Sequence, residues 1–572
     1  MGMTITKTPD VPVPTPRFVP AGFDPVRLDD LRTLVQQLVD RPLASGAELE
    51  RWILDWQEIL AQVLAARSRR RIAMTRDTAD EDVRRAHLDF EAEVWPEWRR
   101  LEDQLQRRYL DSEWRSALGS RYTMFDKRIA NTATLFREAN VELLAHDEEL
   151  RARYARMCGM REVEFRGERL TPQQCFSYLE NRDRTTRKEA YEALVAAWAR
   201  DTEENDALFD EMLELRTRIA KNADLPDYRA YCFRELERFD YGPEDCFVFH
   251  DAVETVAVPA LCERLELRRQ RLGLRTLRPY DLHAHPFPEL RPFEDEAGLI
   301  EIGRTLFGAI DPVFREEFDI LVRNGLLDLM TRPGKAPGGY NAGIADIRLP
   351  FIFANAVGGQ RDILVLVHEG GHAFHTLLTR DEPVFPLVKP PIEFCEVASM
   401  GMELFSLEHF DAVYDRDDAR AAATHMLELR LWTFTWVATI DAFQHWLYTH
   451  PGHGRAERTE AWIGLRNRFA PYFDWSGLEE ARAVEWHRQL HIFKHPFYYI
   501  DYGLAALGAL QVWRAYRNDP AAAVAAYRDA LALGGTRPLP ELFAAAGARF
   551  AMDEASLREV VDDVMAKLRE LD

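Results

Sequence analysis

Cysteine is scarce in this sequence of 572 residues: six are scattered along it, with no CxxC pair. That spacing is poor material for a disulfide framework and normal for reduced thiols. No uninterrupted apolar run of about 18 residues is present, so no membrane-spanning helix is expected. The mostly apolar stretch from Leu431 to Phe443 is shorter and contains Asp441, which reads as a buried helix. The first residues lack the apolar core of a secretory signal, and a cytoplasmic location is expected. Positive charge is the scarcer sign, with 73 Lys and Arg against 95 Asp and Glu for a net of −22. Nucleic-acid binders concentrate positive charge, so such a partner is not expected. Glycine and proline, 30 of each, are too few for a fibrous or low-complexity chain.

What remains is a composition of 47% hydrophobic, 29% charged and 11% aromatic residues, ample for a large core. The length suits three or four ordinary domains or one large multi-lobed enzyme. Residues 1–25 are Pro- and Thr-rich and read as an extended tail. From there to about 290 the pattern is helical and forms one expected lobe. Leu31, Leu34, Val35 and Leu38 make one amphipathic stripe, and Leu208, Met212, Leu215 and Ile219 another. A proline-rich crossover is expected from Arg275 to Phe293. Residues 291–572 form the second expected lobe. Pro337-Gly338-Gly339-Tyr340 is a turn signal, and Ile347, Leu349, Phe351 and Phe353 alternate as in a strand. A small sheet is therefore expected at 338–357, with Pro350 marking an edge strand or a break. Helices are expected at 362–380 and 391–410, making a mainly α protein.

The helix at 362–380 contains His368-Glu369-Gly370-Gly371-His372. Positions i and i+4 differ by about 40° around a helix, so both imidazoles leave one face and can share one Zn²⁺. Glu369 is placed to act as base toward the water that such a metal polarises. The two glycines each cost about 1 kcal/mol of helix propensity relative to Ala, which implies that something packs very close there. Asp362 reads first as an N-cap. A third ligand is expected from the return helix, which Pro390 and Pro391 open. Glu393, Glu396, Glu403 and Glu408 are the candidates, and periodicity does not choose among them.

The combination HEGGHAFH and EFCEVASMGME, with PGGYNAGIADIRLPFIFANAVGGQRD upstream, resembles the M3 family of zinc metallopeptidases. That family holds thimet oligopeptidase and oligoendopeptidase F; length and C-terminal motif liken this chain most to the bacterial oligoendopeptidase F-like members. The likeness covers roughly residues 337–505. It implies His368, His372 and Glu396 as ligands of one Zn²⁺ and Glu369 as catalytic base. Glu403 becomes a supporting acid, and His375 at most a neighbour of the ligands. A His/Tyr-rich C-terminal segment closes over the zinc in such enzymes; here it supplies His491, Tyr498, Tyr499 and Tyr502. The family fold implies a bilobed helical protein with a deep central channel and a small sheet beside the zinc helix.

The expected activity is hydrolysis of internal bonds in short unstructured peptides. Phe351 to Asn355 is the expected edge strand pairing with substrate, which makes Phe353, Ala354 and Asn355 candidate substrate contacts. Gly338, Gly339 and Tyr340 form the candidate loop over it. The alternatives are an HExxH-type zinc exopeptidase, for which Arg348 is an available carboxylate holder, and a peptide-binding scaffold with a vestigial metal site.

Overall fold

The computed structural model describes residues 10–13, 15–284, 287 and 290–572. Among the described residues the fold is mainly helical, with two small sheets. No described helix is long and apolar enough to cross a membrane. Part of the expected tail and part of the 275–293 crossover lie outside the described residues. Within the tail, the backbone N–H groups of Arg17, Phe18 and Val19 all donate to the Glu58 carboxylate, which ties this segment down.

The chain divides into two compact units, each built from three segments. The first takes residues 1–133, 289–423 and 508–550; the second takes 134–288, 424–507 and 551–572. This differs from a single cut near residue 290.

In the first unit the sheet has strands β1 (Leu327–Met330), β2 (Tyr340–Ile344) and β3 (Leu349–Ala356), in the order β1-β3-β2. β1 runs parallel to β3 and β2 antiparallel to it. β3 is therefore central, and the expectation of an edge at Phe351 to Asn355 is wrong. Phe353 faces Asp328 on one side and Tyr340 on the other. The residues from Leu349 to Ala354 are all buried, as a strand covered on both faces requires. Pro350 is tolerated because β1 pairs with β3 only from Ile352 on, so at Pro350 the strand is flanked by β2 alone and is locally an edge.

Three helices of this unit matter for the site: α1 (Gly46–Arg76), α2 (Glu296–Ile310) and α3 (Gln360–Leu378). A fourth, α4 (Ile392–Leu407), starts directly after Pro390-Pro391, as expected. α3 buries Ile363, Leu366, Val367, Phe374 and Leu377, each contributing about 1.5–3 kcal/mol on removal from water. Asp362 is the third residue of α3, not its cap. Its carboxylate reaches back to the N–H groups of Val357, Gly358 and Gly359 at 2.8, 2.9 and 2.9 Å. Gly358, at φ +103°, makes the turn that lets three donors converge.

In the second unit, the stripe from Leu208 to Ile219 is buried in the helix Thr202–Asn222. A hairpin of Val163–Phe165 and Glu168–Leu170 adds strands that the periodicity did not mark. Its three-residue strands are too short to show a period. All six cysteines are free.

Candidate metal centre

α3 and α4 approach until side chains no longer fit between them. A Cβ built on Gly371 falls 2.6 Å from Ala398 O and 2.7 Å from Ser399 Cα. One on Gly370 falls 2.5 Å from the Phe307 ring of α2. The two glycines thus permit a close helix–helix contact, as the sequence implied.

That contact carries Glu396 to the two histidines. Glu396 Oε2 lies 3.5 Å from His368 Nε2 and 3.7 Å from His372 Nε2. The three ligand atoms all lie within 4.8 Å of one another. Ser399 Oγ donates to Glu396 Oε2 at 2.9 Å, holding the carboxylate one helical turn on. Glu403, the rival candidate, instead takes the far side of His368, with Oε1 at 2.8 Å from Nδ1. A hydrogen bond there leaves Nε2 pointing at Glu396, the tautomer that a metal ligand needs. Glu393 and Glu408 do not join this set of three. The ring of His372 is backed by the carbonyl of Cys395.

Charge sharpens the picture. Glu369, Glu396 and Glu403 are only 8%, 6% and 6% exposed. Buried carboxylates are costly unless a cation answers them. Burial pushes Glu369 up to about 7, with the charges of Glu396 and Glu403 adding and His368 opposing. Burial opposes the charged form of His368, but the hydrogen bond and charge of Glu403, with Glu396 and Glu369, lift it to about 9. His372 falls to about 3 through burial and the neighbouring His368 and Lys389. Glu369 Oε2 has no hydrogen-bond partner. Two imidazoles, a converging carboxylate and surplus buried negative charge fit a divalent cation, with His368, His372 and Glu396 to hold it. Glu403→Ala is expected to lower metal affinity about 10–100-fold with α3 intact. Competition with a chromogenic chelator measures it, and unchanged affinity would count against the orienting role.

The Gly338-Gly339 turn lies beside the base. A Cβ on Gly339 would sit 3.8 Å from Glu369 Oε1 and 3.4 Å from Phe353 O, and Gly338 has φ +97°. Asn341 Nδ2 reaches Glu369 O at 3.5 Å, a contact the sequence did not signal. Tyr340 has a packing role: its ring stacks on Phe353 at 4.9 Å and its hydroxyl meets Thr75 Oγ1 at 2.6 Å. Ala354 and Asn355 are likewise occupied. Lys335 Nζ donates to Ala354 O, and Asn355 Nδ2 donates to Ala336 O and Gly338 O at 2.9 and 2.7 Å. They brace the turn from beneath. Arg348 is committed too, donating to the carbonyls of Arg380 and Glu382. His375 packs edge-on against Phe394 and bonds the Leu531 backbone, a core position.

The turn is anchored by Asp328, which accepts from Arg76, Arg332 and Lys335 at 2.8, 2.6 and 2.7 Å. Burial would raise its pKa, but these three cations hold it well below the carboxylate range. A carboxylate depressed in the folded state stabilises above its unfolded pKa of about 3.9, and the contribution disappears as pH falls through the folded value. Asp328→Asn is expected to cost about 3–5 kcal/mol at pH 7 by stranding the buried Lys335 ammonium, the two arginines being part-exposed. Urea unfolding at pH 7 and pH 3 tests this, since the difference from wild type must shrink at the lower pH.

In the second unit, His491, Tyr498, Tyr499 and Tyr502 form one aromatic cluster. His491 lies 5.8, 4.7 and 6.0 Å from the three tyrosine rings. Its tautomer can be read from neighbours absent from the sequence reading. Trp436 Nε1 donates to Gln489 Oε1 at 3.2 Å, which turns the amide nitrogen toward His491 Nδ1 at 2.9 Å. Nδ1 accepts, so the proton resides on Nε2. Burial, with His495 and Lys494, lowers His491 to about 4, so it is a neutral donor at pH 7. The backbone beneath is pinned by two buried arginines, Arg216 on Phe493 O and Arg238 on Phe497 O and Asp501.

Known proteins resemble this chain in sequence and in fold. The profile of peptidase family M3 matches residues 177–562, and that of the peptidase M3 N-terminal domain matches 18–135. Group B oligopeptidase PepB of Streptococcus agalactiae is 24% identical over 344 residues, 57% of this chain and 55% of the relative. Oligopeptidase PepF of Bacillus subtilis is 26% identical over 312 residues, 52% of this chain and 44% of the relative. The alignments thus span about half the length of these relatives. A solved structure of PZ peptidase A with inhibitor 2 superposes with a TM-score of 0.89 at 28% identity, covering 97% of this chain and 100% of that one. The chain belongs to peptidase family M3.

Proposed function

We propose that the chain is a zinc-dependent endopeptidase hydrolysing internal bonds of short unstructured peptides in the cytoplasm. The observation that carries this reading is the convergence of His368, His372 and Glu396 beside an unpartnered Glu369 carboxylate oxygen. Bound there, Zn²⁺ supplies Lewis-acid chemistry, polarising the carbonyl and lowering the pKa of water toward about 7. Glu369 takes the proton of the attacking water on its free oxygen and returns it to the leaving amine. Glu403 and Ser399 hold His368 and Glu396 in position. His491, Tyr498, Tyr499 and Tyr502 are the proposed donors to the developing oxyanion, on the family's His/Tyr-rich segment and on the Nε2–H tautomer of His491.

For the substrate backbone we assign β2 in place of the 351–355 segment. It is an edge strand, its Gly343 is exposed, and Asn341 next to the base belongs to it. Gly338 and Gly339 leave room where the scissile bond must approach Glu369. Arg348, bonded to the Glu382 and Arg380 carbonyls, is unsuited to holding a terminal carboxylate, which favours internal cleavage. Mass spectrometry of a doubly capped peptide series tests the reading. Internal cuts that decline with peptide length are expected, and capped peptides left intact while their uncapped counterparts lose single terminal residues would overturn it.

A further inference from the structure

The second unit contains another set of metal-ligand side chains, none of them a residue of the family site. Cys246 and His250 lie four residues apart on the helix Pro243–Ala252, and Asp441 and His445 four apart on the helix Arg416–Thr449. Each pair therefore leaves its helix on one face. Exposure is 0%, 2%, 0% and 3% in that order. One ligand atom each from Cys246, Asp441 and His445 lie within 4.8 Å of one another. His250 Nε2 meets Asp441 Oδ2 at 2.9 Å, as a partner does that orients a ligating carboxylate. Asp441 Oδ1 and His445 Nε2 have no hydrogen-bond partner, though Nε2 lies 3.3 Å from Asp441 Oδ2.

We propose that Cys246, Asp441 and His445, braced by His250, form a second, structural site for a thiophilic divalent cation such as zinc. Mixed S, O and N donors of this kind suit a borderline metal. A thiolate and a carboxylate balance its charge, and no Lys or Arg among the described residues forms an ion pair with Asp441. Of the nearby cations, Arg238 is bonded to Asp501 and Arg468 to Asp251 and Glu254. Burial keeps the Cys246 thiol protonated on its own, so binding releases its proton as the sulfur–metal bond forms. Arg229 Nη1, 3.4 Å from His445 Nδ1, must give way when Nδ1 takes the ring proton. Its side chain is 20% exposed and 3.6 Å from Asp227, toward which it can turn. The competing arrangement is a protonated histidine neutralising Asp441, in which Cys246 has no part.

Metal analysis and cobalt reconstitution of the full chain separate the two. About two equivalents of zinc are expected in wild type, and about one both in Cys246→Ser and in His368→Ala/His372→Ala. With Co²⁺, a thiolate-to-metal charge-transfer band is expected in wild type and in the double histidine variant, and absent from Cys246→Ser. The band in the unmutated chain does not depend on any variant folding. One equivalent and no thiolate band in wild type would overturn the second site. The family site, assayed by peptide cleavage, would stand regardless.

Discussion

Glu369→Gln is expected to leave metal content unchanged and to lower peptide turnover about 10²–10⁴-fold, which is about 3–5 kcal/mol of barrier. The side chain is 8% exposed and its Oε2 has no partner. Glutamine fills the same volume and removes a buried charge, so the fold has no reason to suffer. It does remove the acceptor that takes the proton of water. Burial and the acids Glu396 and Glu403 push this carboxyl up to about 7 with no metal cation beside it. A cation among His368, His372 and Glu396 draws it back down, toward the ionised form a base requires. Single-turnover kinetics at matched metal loading measure the effect. Turnover within a few-fold of wild type would remove Glu369 from the chemistry and with it the proposed mechanism.

How far the sequence carried this result differs from residue to residue. His368, Glu369 and His372 were legible because a helix imposes their spacing, and α3 places them accordingly. Glu396 and Glu403 were not separable by period, since seven residues make nearly two full turns; their distances to opposite nitrogens of His368 separate them. The glycine pair announced a close approach but not its partners, Phe307 and the Ala398–Ser399 backbone, which are distant in sequence. β3 was misplaced at an edge because β1 lacks a period long enough to recognise. The unit boundaries carry no linker signature, because cuts at 423/424 and 507/508 fall inside the helices Arg416–Thr449 and Ile500–Asn518. The tautomer of His491 depends on Gln489 and Trp436, a relation that only the folded geometry supplies.

The helix–helix contact that assembles the ligands yields the second large effect, for Gly371→Ala. In an isolated helix this change stabilises by about 1 kcal/mol. Here the new methyl would stand 2.6 Å from Ala398 O and 2.7 Å from Ser399 Cα, and backbone atoms cannot rotate aside. Relief requires α3 and α4 to separate, at a net cost of about 1–3 kcal/mol. Separation carries Glu396 away from both histidines, so metal affinity is expected to drop about 10–100-fold and activity with it. Gly370→Ala is the control. Its methyl would meet the Phe307 ring, a side chain rather than backbone, whose ring partners are Phe318 and Phe374. It should lose stability while keeping its metal. Thermal unfolding of both variants, with and without excess zinc, distinguishes the effects: added zinc must rescue Gly371→Ala less than Gly370→Ala. Equal rescue would mean that the glycine contact packs the core without setting the ligand geometry.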